Sequence, residues 1–226
     1  MKRKTQSKQY DLELVELEKA TPVEINKKII KSISYSQDEI LSNIIYLHTG
    51  PIELDVCYGS GCFYKKMPKP KLCFDIAPRK PGVIPADVRN LPLKNESINC
   101  TILDPPFMAR TGPGATLKAK FGELKGTIED LWDFYEEGMR EIYRILKPEG
   151  WLIFKYQNGV LAGVNNNTHV EICNRAKDIG FKWVDEFILL ATHRMTHPKH
   201  KKQVHARKYH CFFTVFKKTN SAKPKK

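Results

Sequence analysis

Four aspartates stand at or just beyond the ends of apolar runs, and their order along the chain is its first chemical signal. Asp55 leads the glycines of DVCYGSG, Asp75 lies at the end of KLCFDI, Asp87 sits in PADVRNLPL, and Asp104 runs into Pro105, Pro106 and Phe107 in TILDPPFMAR. The last is the most unusual. Proline cannot donate to a strand ladder and restricts the residue before it, so one reading is a buried strand that stops at a Pro-Pro turn. The other is a catalytic loop built from an acid, a carbonyl and an aromatic ring. The preceding motifs bear on which of the two applies.

Asp55, Gly59 and Gly61 fall where a first strand meets a first helix, with Cys57 and Tyr58 inside the turn. Glycines there let the backbone turn tightly and let a ligand approach closely. A plain strand-end turn is the alternative. A dinucleotide fingerprint asks for a third small residue three places on, where this chain has Tyr64, and a carboxylate leading the glycines suits a cationic ligand better than phosphates. Asp75 follows Asp55 by twenty residues, at a strand end where an acid accepts both ribose hydroxyls of an adenosine, with Ile76 beside it. Asp87, next to Val88, falls in a third loop where it would accept from an adenine amino group or simply cap its own loop.

Secondary structure has to bring these residues to one place. QDEILSNIIYL (37–47) has apolar residues at helical spacing after Ser36, a capping residue. PIELDVC, KLCFDI (71–76) and INCTILD (98–104) read as strands, with a brief further strand near Val83. TIEDLWDFYEEGMREIYRILKPEG predicts a long helix: Thr127 and Asp130 suit its first turns, Leu131, Phe134, Met139, Ile142 and Leu146 share a face, and Pro148 and Gly150 close it. WLIFKYQ is a strand, a polar Asn-rich loop follows, THVEICNRAKDIG is a helix stopped by Gly180, and FKWVDEFILLA and YHCFFTVFKK are the last strands. Alternating strands and helices predict an α/β sheet covered on both faces, and a terminal pair of strands with no helix between them predicts an antiparallel edge.

At 226 residues the chain fits one such domain, expected over 37–217, with a basic, polar extension at 1–36 and a basic, disordered tail at 218–226. The 38 Lys and Arg against 25 Asp and Glu give a net charge of +13, which points to a polyanionic partner. Six scattered cysteines form no CxxC pair and follow no secretory signal, so reduced thiols in a cytoplasmic protein are expected. No apolar run approaches the roughly 18 residues of a membrane span, and no metal site is expected, since the histidines at 193, 197, 200, 205 and 210 lack a carboxylate or cysteine to complete a set.

Taken in order, DVCYGSGCF, the acid of KLCFDI, the acid of ADVRNLPL, DPPF after a strand, and the helix ending YRILKPEG before WLIFK resemble a class I S-adenosylmethionine-dependent methyltransferase, over roughly residues 37–217. The resemblance implies a Rossmann-like, doubly wound, mostly parallel seven-stranded sheet with an antiparallel last strand and helices on both faces. It implies S-adenosyl-L-methionine as cofactor, with Asp55 and the turn from Gly59 to Gly61 along its methionine part, Asp75 on its ribose and Asp87 on its adenine; Cys57, Tyr58, Ile76, Val88 and Asp104 complete the expected contacts. DPPF is similar to the signature of enzymes that methylate adenine N6 or cytosine N4.

In such an enzyme Asp104 and the Pro105 carbonyl, stiffened by Pro106, would accept the two N–H groups of a base amino group, and Phe107 would stack on the ring. The basic segments would meet phosphates: Lys118 and Lys120 after the motif, Lys155 after a strand, and Arg194, Lys199, Lys201, Lys202 and Arg207 between the last two strands. A plain flexible loop is the alternative for the stretch after DPPF, and a solvated hairpin loop for the stretch between the last two strands. The likeness of HARKYHCFFTVFKK to the last strand of bacterial and phage DNA methyltransferases favours DNA over RNA as partner, in a bacterial or phage-like setting. The glycine turn and DPPF lie under fifty residues apart and under 120 residues follow, so no separate target-recognition domain fits; a second subunit or partner is one source of sequence reading. RNA, or a protein lysine or glutamine, is the alternative substrate.

Overall fold

The computed structural model describes residues 29–107, 109–110, 124–161, 163–193 and 203–219. Short β1 (Ile33–Ser34) precedes α1 (Gln37–Ile44), which begins on a Ser36 cap whose hydroxyl accepts from the Glu39 N–H at 3.3 Å and runs on as a π-turn to Thr49. Four strands then alternate with loops: β2 (Leu54–Asp55), β3 (Leu72–Asp75), β4 (Ile84–Pro85) and β5 (Ile98–Leu103). The pair β6 (Ala109–Arg110) and β7 (Leu124–Lys125) leads to α2 (Ile128–Ile145) and β8 (Leu146–Tyr156). A hairpin of β9 (Gly159–Leu161) and β10 (Val164–Asn166) stands within the Asn-rich stretch read as a loop, followed by α3 (Thr168–Ile179), β11 (Phe181–Leu190) and β12 (His210–Lys218).

The main sheet has the order β1-β11-β12-β8-β5-β2-β3-β4. From β4 to β8 every pairing is parallel, and β12 runs antiparallel between β8 and β11. Two differences from the expected sheet follow. The antiparallel strand is internal rather than at the edge, because β12 inserts beside β8. An eighth strand is added, because Ile33 and Ser34 pair in parallel with Ile188 and Leu189 and blunt the β11 edge.

The long helix starts where its capping residues predict: Thr127 and Asp130 bond each other's backbone in a full capping box. It ends earlier than Pro148 and Gly150 predict. Leu146 is already extended at φ −67°, ψ 135°, and β8 runs through Lys147–Gly150 with a register shift against β5. Proline is tolerated in a strand at such an irregularity, and Gly150 is required there, since a Cβ would lie 2.8 Å from the Lys147 carbonyl. Lys218, assigned by sequence to the tail, is buried at the end of β12, its ammonium donating to the Leu146 carbonyl at 2.7 Å.

Side-chain alternation along the strands divides the core. Leu152, Phe154 and Tyr156 of β8 join Leu131, Tyr135, Met139 and Ile142 of α2 and Ile172 and Ala176 of α3 on one face. Ile153 joins Ile40, Leu41 and Ile44 of α1, with Phe63, Phe187 and Phe213, on the other. The same alternation puts Lys155 on the α1 face.

Candidate active site

Strands β3, β2 and β5 are parallel neighbours, so their carboxyl ends lie along one edge of the sheet. Asp75 is the last residue of β3, Asp55 the last of β2, and Asp104 the first after β5. In open α/β sheets that edge is where ligands bind.

The Asp55 side chain is fully buried and accepts the Cys57 N–H at 2.9 Å and the Tyr64 hydroxyl at 2.7 Å. Burial pushes its carboxyl up to about 7, against the lowering effect of those two donors; Asp104 and Asp75 add repulsion. Tyr64, read from sequence only as a departure from a dinucleotide fingerprint, is therefore a structural partner of the acid that leads the turn. It also stacks on Tyr58, with ring centroids 5.5 Å apart. The turn closes over β3: Gly59 donates to Asp75 Oδ2 at 2.8 Å, and Tyr58 donates to the Phe74 carbonyl at 3.0 Å. Gly59 and Gly61 have φ of +56° and +73°, and a Cβ on Gly61 would lie 2.6 Å from the Tyr58 hydroxyl.

Asp75 accepts Gly59 N–H on one oxygen and Ala77 N–H on the other, which leaves each oxygen a further acceptor position. Ile76 next to it is 71% exposed, an apolar surface at the same strand end. The turn at Gly59 is open, with nothing nearer an added Cβ than the Cys57 carbonyl at 3.9 Å. The strand-end edge thus carries a half-buried acid with acceptor positions left at Asp75, an apolar surface at Ile76, and open space at Gly59, with the Asp55 charge buried beneath.

Three of the expected cofactor contacts have partners within the protein. Asp87 grips Arg89, accepting its backbone N–H at 3.0 Å and its guanidinium at 2.7 Å, and this partner holds its carboxyl below the usual range. Val88 is buried, and its methyls lie 3.5 Å from where a Cβ on Gly138 of α2 would stand, so its side chain serves the core. Cys57 is half-buried against the same core, and burial pushes its thiol up.

At the end of β5 the DPPF loop is pinned from below. Tyr135, wholly buried on α2, donates its hydroxyl to the Pro106 carbonyl at 2.6 Å. Pro105 is buried and Phe107 half-buried. Lys155 is the largest departure from expectation: instead of facing phosphates it turns inward, its side chain 12% exposed. Its ammonium lies 3.3 Å from Asp104 Oδ2 and 3.1 Å from Gln37 Oε1, and over the rings of Phe63, Phe107 and Phe213 at 4.7–5.6 Å. Burial raises the Asp104 carboxyl, and Lys155 acts in the opposite sense.

Among the expected phosphate contacts, Lys118, Lys120, Arg194, Lys199, Lys201 and Lys202 lie outside the described residues. Arg207 is exposed. Both ends of the connection that carries it return to the edge where β8 ends: Ala191 donates to the Tyr209 carbonyl at 2.7 Å, and Gln157, just past β8, donates to the His210 carbonyl. His205 bonds the Gly163 carbonyl of the β9–β10 hairpin at 2.6 Å.

No family model matches the chain, and no curated protein does. Solved structures do. A chain of the complex between the Haloferax volcanii Trm112 methyltransferase activator and a methyltransferase matches at 12% identity and a TM-score of 0.51, covering 81% of this chain and 90% of that one. An S-adenosylmethionine-dependent methyltransferase of Thermotoga maritima matches at 18% identity and a TM-score of 0.46, covering 80% and 87%. A DNA modification methylase of Thermus thermophilus, complexed with S-adenosyl-L-methionine, matches at 22% identity and a TM-score of 0.41, covering 62% and 56%. The chain spans about half the length of the DNA methylases that it matches, from 44% to 56%. The sheet order and the Haloferax likeness together establish the Rossmann-like fold of class I S-adenosylmethionine-dependent methyltransferases. Among the described residues no helix is long and apolar enough to cross a membrane.

Proposed function

We propose that this chain is an S-adenosylmethionine-dependent methyltransferase that methylates an exocyclic amino nitrogen of a nucleic-acid base, with adenine N6 in DNA as the acceptor. The observation that carries the reading is the DPPF loop at the end of β5, pinned by Tyr135 beside the glycine turn that bonds Asp75. An aromatic amino group is a poor nucleophile because its lone pair is delocalised into the ring. Asp104 would accept one of its N–H groups and the Pro105 carbonyl the other, drawing the nitrogen towards pyramidal geometry. With the Pro106 carbonyl taken by Tyr135, the loop has little freedom to move away from that position. Phe107 would stack on a base turned out of its duplex.

When bound, S-adenosylmethionine supplies the electrophilic methyl group. Asp75 would hold its ribose, Ile76 its ring, and Asp55 would face its cationic end. The methylated nitrogen sheds its proton readily, so no strong base is required. Arg207 and the lysines of the β11–β12 connection would hold the phosphate backbone at the same edge.

The test is transfer of label from tritiated S-adenosylmethionine to duplex DNA, single-stranded DNA, bulk RNA and cell protein in parallel. Label in N6-methyladenine of DNA is expected. Label in RNA alone moves the substrate to RNA, and label in protein alone sinks the nucleic-acid reading.

A further inference from the structure

We infer that Lys155 is a positioning residue for methyl transfer: its ammonium holds Asp104 as an oriented carboxylate and fixes the rings around it, Phe107 included. This rests on the proposed amino-methyltransferase reading. The sequence presents Lys155 as a surface base, yet its strand alternation turns it onto the α1 face with Ile153. There it is held from four elements at once. Gln37 at the start of α1 accepts from it at 3.1 Å, Asp104 after β5 at 3.3 Å, Phe63 lies 4.7 Å away in the turn after the glycines, and Phe213 of β12 and Phe107 lie 5.6 Å away.

A lysine so enclosed loses most of its hydration and the freedom of a four-carbon stem, costs that a surface position facing phosphates would avoid. The arrangement makes sense if the ammonium serves the acid. Asp104 must be ionised to accept an amino N–H with both oxygens free of protons. Its other titratable neighbours give that charge no support: Asp55 repels it, and the Cys57 thiol and Tyr135 hydroxyl are held neutral by burial. Among the described residues Lys155 is the cation paired with it, and it engages Oδ2, so that on this reading Oδ1 is the oxygen that accepts the substrate N–H. The same ammonium, shared among Phe63, Phe107 and Phe213, ties the stacking platform to the acid, so that acceptor and platform are set together.

Two neutral replacements, Lys155→Met and Lys155→Gln, and the charge-keeping Lys155→Arg test this. The first measurement needs no turnover: the Asp104 carboxyl is titrated by carbon-13 NMR, its resonance assigned by its loss in Asp104→Asn. In either neutral variant that folds, the Asp104 midpoint should rise by about one pH unit or more, as expected for removing an opposite charge at this distance, and stay near wild type in Lys155→Arg. The second measurement is the pH profile of kcat. Its acid limb should move up by the same interval in the neutral variants, so that their deficit shrinks as pH rises, with cofactor Kd unchanged. An unmoved Asp104 midpoint overturns the inference. So does a kcat deficit equal at every pH, which is what a purely packing role predicts. Failure of the amino-methyltransferase reading would appear separately, as a wild-type protein with no transfer to any base whose Asp104 midpoint still depends on Lys155.

Discussion

Asp55 carries a charge that its surroundings resist until something positive arrives. With its carboxyl raised to about 7 from an ordinary 3.8, the folded protein binds a proton there that the unfolded chain has released across that interval. Stability from this group therefore falls as pH rises from about 4 to about 7 and is level above, a loss on the order of 4 kcal/mol at most. Asp55→Asn should flatten that slope in urea unfolding measured at pH 5 and pH 8; an unchanged slope would place the buried proton elsewhere. A cationic ligand favours the ionised form, so S-adenosylmethionine should bind more tightly as pH rises through 7, with a proton released on binding that calorimetry in two buffers would detect. Asp104 differs in having Lys155 3.3 Å away, which acts against the effect of its burial. Asp104→Asn keeps the shape but replaces an acceptor oxygen with a donor, and should lower kcat by about 100- to 1000-fold, the cost of losing one preorganised electrostatic interaction. Its cofactor Kd should stay within about tenfold of wild type. Loss of both together would mean that Asp104 serves the cofactor instead.

Elements carry these residues into place, and α2 does so from the far side of the DPPF loop. Its N-terminus is written in the sequence as Thr127 and Asp130, and the structure has that capping box. Its C-terminus is not, because the β5–β8 pairing recruits Lys147–Gly150 into the sheet, a long-range interaction that outweighs the local stop signal of Pro148. The same distinction separates the site residues that can be read locally from those that cannot. Asp55, Asp75 and Asp104 announce themselves by standing at strand ends. Tyr64, Tyr135 and Gln37 do not, since their partners lie 9, 29 and 118 residues away. For Lys155 one signal is present: a lysine inside WLIFKYQ, on the face that its buried neighbour Ile153 shares. Tyr135→Phe removes only the 2.6 Å bond to the Pro106 carbonyl. It should cost about 1 kcal/mol of stability in denaturant unfolding. In steady-state kinetics it should lower kcat by about 10- to 100-fold through a misplaced loop, with cofactor Kd unchanged. Wild-type kcat in a variant that has lost the stability would show that the anchor serves folding alone.

At the scale of the whole molecule, one edge of the sheet collects opposite kinds of charge. The carboxyl ends of β2, β3 and β5 bring three buried or half-buried acids there, and the described ends of the β11–β12 connection, Ala191 and Tyr209, meet at the same edge with Arg207 exposed nearby in sequence. An antiparallel β12 inserted beside β8 is what makes this possible: Phe212 pairs with Tyr156, so the chain enters β12 at the edge where β8 leaves. On the proposed reading the acids serve the ring that reacts, and the bases of the β11–β12 connection serve the phosphates. If that division holds, the bases set affinity and the acids set turnover. Replacing Lys199, Lys201 and Lys202 together with Gln should reduce the slope of log K against log salt by about 0.9 for each phosphate no longer neutralised on duplex DNA, or about 0.7 each on single strands. The kcat at saturating substrate should be little changed. Fluorescence anisotropy across a salt series checks the first expectation and single-turnover kinetics the second. An unchanged salt slope would make that run a solvated loop, and the +13 charge would then have to act through the other basic segments, Lys118 and Lys120 first.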